Sequence, residues 1–392
     1  MITGLVGVWI LPENETMRTR SIRVSSINPK YRSQNGALYN KKMTTLICYP
    51  MGKEGRTFVV PDTVRQTAPL SFKGNYYLKK IVLPKNLHKL GEGSFFDCIL
   101  LKDVNLETLN HLERISDYYN KSDVRVIHYY DSENEDPYDR YVNGVDYFAL
   151  DHDEGQFDGY LKRYGTFAGT GITSFRMPSN LQYIAPETFR NCEQLKTFYI
   201  GKAFRGKINY GEEGDPDTLF LYYAPIRLIQ IDKENTSYQL QNEILYTRDG
   251  HILCQALKND NADSQLTIPS CVTEIADGAF YRNSEFGAIE VKGSLERIGI
   301  SAFACADVGS FYVKGGVNYL DRGSFYQSAI SEWRCHGGVK KYEKSAFQDV
   351  DATNRYAIDM NVITKLYQEL LYVNATTDLS YWVKTIWNWI IM

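Results

Sequence analysis

Apolar and polar positions along this chain follow no single helical or strand period; they return in blocks of 22–23 residues. Between residues 266 and 350 three columns keep that step together. Phe280, Phe303, Phe325 and Phe347 are separated by 23, 22 and 22 positions, and so are Ile275, Ile298, Leu320 and Tyr342. Ile268, Val291, Val313 and Cys335 move in the same step. The N-terminal third carries a related block: Leu78, Ile81, Leu83-Pro84, Leu87, Leu90 and Ser94-Phe95. Phe72, Phe95 and Tyr118 are 23 apart each time, which predicts Tyr118 as the ladder ring after Phe95. The middle repeats the block as Ile172, Phe175, Met177-Pro178, Leu181, Ile184, Phe189 and Cys192, with Phe167 22 residues before Phe189.

Each block reads as one coil of a solenoid. A short alternating stretch, such as Ile81-Val82-Leu83 or Phe198-Tyr199-Ile200, sends every second side chain inward as a strand does. The proline that often follows lacks an N–H, so it ends the strand and turns the chain. A second apolar pair and an Ala-Phe or Ser-Phe dipeptide then fill the opposite wall. The step is too short for a strand–helix–strand crossover with a full helix, and it suits stacked coils. Their strands form one long parallel sheet at about 4.8 Å spacing, over a continuous ladder of buried phenylalanines. With those columns inward, the outward strand residues are Arg23, Val59, Val82, Asn105, Arg176, Tyr199, Gln230, Thr267, Glu290, Tyr312 and Arg334.

Leu266-Thr-Ile-Pro269-Ser-Cys-Val272-Thr-Glu-Ile275-Ala-Asp-Gly-Ala279-Phe280 resembles the BspA-like leucine-rich repeats of bacterial surface proteins. A hairpin excursion strengthens the resemblance. It runs Asn28-Pro-Lys-Tyr31, Gln34-Asn35, Leu38-Tyr39 and Leu46-Ile47-Cys48, and again Asn235-Thr-Ser-Tyr238, Gln241-Asn242, Leu245-Tyr246 and Ile252-Leu253-Cys254. Lys365–Leu370, Trp382 and Trp387-Asn-Trp389 resemble the family's closing cap. The resemblance implies an α/β solenoid, a right-handed superhelix with two hairpin excursions and a C-terminal cap. The expected segments are N-terminal repeats over 1–119, an acidic insertion or degenerate repeats over 120–163, further repeats over 164–350 and the cap over 351–392. It also implies a non-catalytic protein at the cell surface or outside the cell, engaged in protein–protein or adhesion-type contact with a protein or extracellular-matrix partner. Glycan binding is the alternative.

Charge refines this picture. The chain carries 44 basic and 47 acidic residues, net −3, so it shows no overall basic balance and nucleic acid is not expected as a partner. Between Asp131 and Asp158, however, stand 10 acidic residues against Arg140 alone, a local −9, so the rest of the chain sums to +6. Asp131, Glu133, Glu135, Asp136, Asp151 and Asp153 are the candidate acidic contact residues. Asp151-His-Asp153 is followed by Gly155 and Asp158, but it lacks the full calcium-loop spacing and reads as a solvated acidic loop. Arg176, Tyr199, Tyr312 and Arg334 are the candidate partner-binding residues on the sheet face.

Catalytic signatures are missing. The six histidines fall in different repeats or loops, outside any recognisable nucleophile constellation. The seven cysteines form no CxxC pair, so neither a zinc knuckle nor a dithiol redox site is expected, and no cofactor is expected. Cys98, Cys192 and Cys305 stand two or three residues after a ladder phenylalanine and read as core thiols, as do Cys48 and Cys254 in the hairpins. Leu5–Leu11 is too short to span a bilayer and makes a poor leader, so no membrane-spanning segment is expected and no leader is visible.

Overall fold

The computed structural model describes residues 19–116, 118–125, 160–211, 217–257, 264–343 and 345–347. The chain divides into two compact units, residues 1–248 and 249–392, each built of stacked β-coils.

In residues 249–392 the periodic columns become a regular prism. Ser264–Ile268, Ser284–Val291, Asp307–Val313 and Ala329–Cys335 pair in that order as a parallel ladder. Ile268, Val291, Val313 and Cys335 are level in it and buried. The opposite wall is also a parallel ladder, formed by Ile252–Ala256, Glu274–Ile275, Leu295–Ile298, Val317–Leu320 and Val339–Tyr342. The sequence pattern predicts one sheet and misses this second wall. The reason lies in its spacing: Leu295 and Ile298 turn inward with two residues between them, so strict alternation is absent.

Between the walls run the rings. Phe280, Phe303, Phe325 and Phe347 stack at centroid distances of 4.6, 5.0 and 5.1 Å with interplanar angles of 9°, 4° and 5°. Phe311 and Trp333 abut this column edge-on, and Trp333 is 1% exposed. A single coil has too little interior to bury such rings, so each depends on its neighbours.

Residues 1–248 follow the same plan with shorter strands. Thr57–Val59, Lys80–Val82 and Asp103–Val104 pair in parallel, and so do Ser174–Arg176, Thr197–Ile200 and Leu228–Ile231. The second wall survives as pairs: Thr45–Cys48 with Gln66–Thr67, Arg114–Ile115 with Tyr183–Ile184, and Lys207–Ile208 with Thr218–Leu219. The expected helical share is small. Among the described residues helical turns are limited to three short 3-10 segments, Leu106–Thr108, Pro186–Phe189 and Leu221–Tyr223.

Both hairpin excursions form. Tyr31–Gln34 pairs antiparallel with Ala37–Asn40, and Tyr238–Gln241 with Ile244–Thr247. Their two-residue loops, Asn35-Gly36 and Asn242-Glu243, have positive φ throughout, the geometry that matches strand twist in a tight hairpin. Asn28 and Asn235 open them alike, each side-chain oxygen accepting two backbone N–H groups. The proposed cap falls outside the described residues.

One ladder assignment changes. The ring seated on Phe95 is Phe167, at 5.3 Å, not Tyr118. The backbone agrees: Phe95 N–H donates to Thr166 O at 3.0 Å and Asp97 N–H to Ala168 O at 2.9 Å. Tyr118–Arg125 instead pairs antiparallel with Tyr160–Tyr164, Tyr118 opposite Tyr164. The coil that starts at Asp103 therefore crosses to its second wall at Arg114–Ile115, departs as a hairpin, and resumes at Thr166-Phe167. Phe95 and Phe167 are 72 positions apart, one coil step plus about 50 residues.

Candidate interaction surfaces

Three residues beyond Phe72, Phe95, Phe167, Phe189 and Phe325 lies a small buried side chain that satisfies the turn. Asn75, Cys98, Thr170, Cys192 and Ser328 occupy this place, all buried. Cys98 Sγ donates to Phe72 O and Cys192 Sγ to Phe167 O, each at 3.0 Å. Burial pushes the Cys98 thiol up to about 12 and the Cys192 thiol to about 11. Such thiols are protonated at neutral pH and poor nucleophiles. Cys254 is likewise buried. Two expectations need correction. Cys305 sits one residue early, in a left-handed conformation and half-buried, because the buried place in its coil belongs to Ala306. Cys48 is also half-buried, and burial raises its thiol.

The outward strand positions carry the candidate contact residues. Arg176, Tyr199 and Gln230 are level across three coils of residues 1–248. The Arg176 guanidinium lies 4.1 Å from the Tyr199 ring centroid, and Tyr199 Oη donates to Asp232 Oδ2 at 2.8 Å. Partial desolvation and the Asp232 hydrogen bond raise the Tyr199 phenol, so it is a neutral donor at physiological pH. The adjacent column is less regular than expected. Val59 is 60% exposed, but Asn105 turns back, accepting from Leu83 N–H at 2.7 Å and donating to Leu83 O at 3.0 Å.

In residues 249–392 the level outward row is Thr267, Glu290, Tyr312 and Arg334. Glu290 is bracketed by Lys292 at 2.5 Å and Lys314 at 3.1 Å, which hold its carboxyl below the usual range. Tyr312 meets the His336 ring edge-on at 5.3 Å, and Arg334 pairs with Glu332. The four candidate contact residues thus fall into two groups, Arg176 and Tyr199 in one unit and Tyr312 and Arg334 in the other, and each of the four has an intramolecular partner. The acidic candidates Asp131, Glu133, Glu135, Asp136, Asp151 and Asp153 fall outside the described residues.

The second wall of residues 249–392 holds a polar cluster that the sequence pattern does not reveal. Arg297 reaches Glu274 at 2.9 Å, Asp277 at 2.6 Å and Asp321 at 2.8 Å. Asp277 also accepts Ile300 N–H at 2.9 Å. Burial outweighs Arg297 and pushes the Asp277 carboxyl up to about 6, while the three carboxylates outweigh burial at Arg297 and keep it charged. Acidic residues at the first, fourth and forty-eighth places of the stretch 274–321 meet only because coils stack, so spacing gives no local signal. His88 and His111, read as separate surface histidines, stack at 4.8 Å on neighbouring turns. Among the described residues no group of three or more His, Cys, Asp or Glu could hold a metal ion. No helix among them is long and apolar enough to cross a membrane.

Parallel walls, a ring ladder and short turns define a leucine-rich-repeat solenoid. The sequence profile of the BspA type leucine-rich repeat region matches six copies, over residues 52–129, 163–209 and 251–355. The chain belongs to that family. No curated protein matches it. Among solved structures it is similar to the pneumococcal vaccine antigen PcpA, at 15% identity and a TM-score of 0.50, covering 81% of this chain and 91% of that one. A leucine-rich-repeat protein from Eubacterium ventriosum aligns at 12% identity and a TM-score of 0.37, covering 85% and 96%. A leucine-rich cell-surface protein from Faecalibacterium prausnitzii aligns at 13% and 0.37, covering 83% and 99%.

Proposed function

We propose that this chain is a non-catalytic interaction protein that acts at the cell surface or outside the cell and binds a protein partner through its outward strand rows. The observation that carries this reading is the level row Arg176–Tyr199–Gln230, in which a guanidinium, a phenol and an amide stand on adjacent coils. Side chains held by strand backbone and by each other lose little freedom on binding, which is how rigid surfaces gain affinity. Arg and Tyr are also the residue types most often found at the centres of protein interfaces. Burial keeps the Cys98 and Cys192 thiols protonated, so these two cysteines serve the turns rather than covalent chemistry. Membership in a repeat family of bacterial surface proteins supports the location.

The test is equilibrium binding of the full chain to a panel of purified extracellular-matrix proteins. The Arg176→Glu/Tyr199→Ala and Tyr312→Ala/Arg334→Glu pairs and a chain lacking 131–158 are measured beside it. A partner that loses roughly tenfold in affinity to one strand-row pair supports the reading. Loss only on removing 131–158 moves the contact to the acidic segment, and turnover of the partner contradicts the reading.

A further inference from the structure

The residue that enters each first-wall strand of residues 1–248 forms a second row, three positions before the Arg176–Tyr199 row. Its members are Arg56, Lys79, Lys102, Thr173, Lys196 and Arg227, so five of six are basic, and all six are exposed. They are level by direct backbone contact. Lys79 N–H donates to Arg56 O at 2.8 Å and Lys102 N–H to Lys79 O at 2.9 Å. Lys196 N–H donates to Thr173 O at 3.0 Å and Arg227 N–H to Lys196 O at 2.8 Å. Stacking of Phe95 on Phe167 makes the coils of Lys102 and Thr173 neighbours. From Arg56 to Lys196 the row therefore advances four coil steps, about 19 Å at strand spacing.

Two nearby acids are already committed, Asp103 to Lys80 at 2.5 Å and Glu54 to Arg20 at 3.4 Å. Arg56, Lys79, Lys102 and Lys196 make no ion pair of their own among the described residues. Residues 19–116 as a whole hold 16 basic and 7 acidic residues, net +9, whereas residues 264–343 hold 8 and 9, net −1. The same row there reads Ser264, Gly287, Gly309 and Ser331 and carries no charge. The chain's near-neutral total thus hides a strongly cationic N-terminal stack. Beside the row, Tyr76 and Tyr77 are 48% and 41% exposed, and one coil on, Ile99 and Leu100 take the same turn positions, also exposed.

We infer that this row binds an extended acidic polysaccharide, with one carboxylate or sulfate group meeting the cation of each coil that carries one and sugar faces resting on Tyr76 and Tyr77. Exposed cations in file on turns and strand starts fit a linear ligand lying across the coils. Duplex DNA fits worse, because the phosphates of each strand wind around the helix axis as they rise about 3.4 Å per step, out of register with cations that follow coils about 4.8 Å apart. The flat apolar rings beside the row are the feature that favours sugar over an acidic peptide. This row is separate from the strand rows assigned to a protein partner, so either assignment stands or falls alone.

The test measures binding of the full chain to heparin (sulfated), polygalacturonate (carboxylate only), dextran (neutral), polyglutamate and a thymidine 20-mer at low and rising salt. Retention on at least one acidic polysaccharide above dextran is expected. The variant Arg56→Gln/Lys79→Gln/Lys102→Gln/Lys196→Gln should weaken it roughly tenfold or more and reduce the salt slope by about one per cation removed. Lys292→Gln/Lys314→Gln, in the other unit, should change it less than about twofold. Circular dichroism of the quadruple variant should match the parent, since the replaced groups are exposed. Heparin alone binding assigns the row to sulfate; both polysaccharides binding assigns it to anionic sugars generally. Absence of retention, retention untouched by the quadruple variant, or tighter binding of polyglutamate or the oligonucleotide would overturn the inference.

Discussion

In residues 264–347 successive ladder rings lie 4–9° from parallel, whereas in the first unit Tyr49, Phe72, Phe95 and Phe167 are tilted by 31–36° and Phe167–Phe189 by 14°. First-wall strands are five to eight residues long in the second unit and two to four in the first. Left-handed positions differ as well. Two residues after each ring the first unit places Gly74, Asp97, Gly169 and Asn191, which tolerate positive φ, while the second places Arg282, Cys305 and Gln327. The second unit thus tolerates backbone cost inside a regular stack. The first has favourable turn residues but shorter ladders and an interrupted coil. Regularity of stacking and local turn chemistry are separable sources of stability, and the proposed basic row lies on the less regular unit.

The largest effect should come from the ladder. Phe303→Ala and Phe95→Ala each remove a fully buried ring and should cost about 3–5 kcal/mol. Urea unfolding followed by separate probes should show Phe303→Ala lowering the transition of residues 249–392 and Phe95→Ala that of residues 1–248. Equal lowering of both transitions by either variant would erase the distinction between the units.

A pH-dependent contrast should follow from Asp277, which only the second unit contains. Its folded carboxyl titrates near 6 against an ordinary 3.8, so the folded state binds the proton more tightly. Stability from this group is therefore present at low pH and lost as pH rises from about 4 to 6, by up to about 3 kcal/mol. Asp277→Asn should remove that contribution: its stability relative to the parent should rise across the same window. A constant difference between parent and variant from pH 4 to 7 would contradict the assignment.

Turn residues give the smallest effects. A Cβ at Gly169 would come within 2.5 Å of Asp97 Oδ1 in a left-handed backbone, so Gly169→Gln should cost about 1–2 kcal/mol. The reciprocal change, Gln327→Gly, should be neutral to stabilising by under about 1 kcal/mol, because relief of the left-handed strain is offset by a freer unfolded chain. Thermal unfolding of the two variants measures both signs.

Much of this architecture is legible from the chain. Columns such as Phe280–Phe347 survive in sequence because a coil that lost its ring would leave its neighbours half exposed. The second wall is hidden because its inward residues are not alternating. Tyr118 was a false rung: it falls 23 residues after Phe95, and spacing cannot tell an aromatic on the ladder from one opening a hairpin. The local motif discriminates better, since Gly165-Thr166-Phe167 repeats Gly93-Ser94-Phe95, while Ser116 precedes Tyr118 by two. The strand-face residues follow from inward–outward alternation, yet their partners, such as Asp232 for Tyr199, depend on how coils stack. The basic row is invisible to hydrophobic periodicity because its members mark where strands begin, outside the apolar columns.

The central structural claim is that one coil of the first unit is interrupted and then completed, so that Phe167 supplies the ring after Phe95. Tyr160 pairs with Arg125 at the far end of the described hairpin. Replacing residues 126–159 by Asn-Gly should close that hairpin with a two-residue turn. Thermal unfolding of this shortened chain is the direct measurement. The account predicts a cooperative transition for residues 1–248 within a few degrees of the parent. Loss of that transition, with residues 249–392 still folded, would mean that the removed segment holds coils the stack cannot do without, and would contradict it.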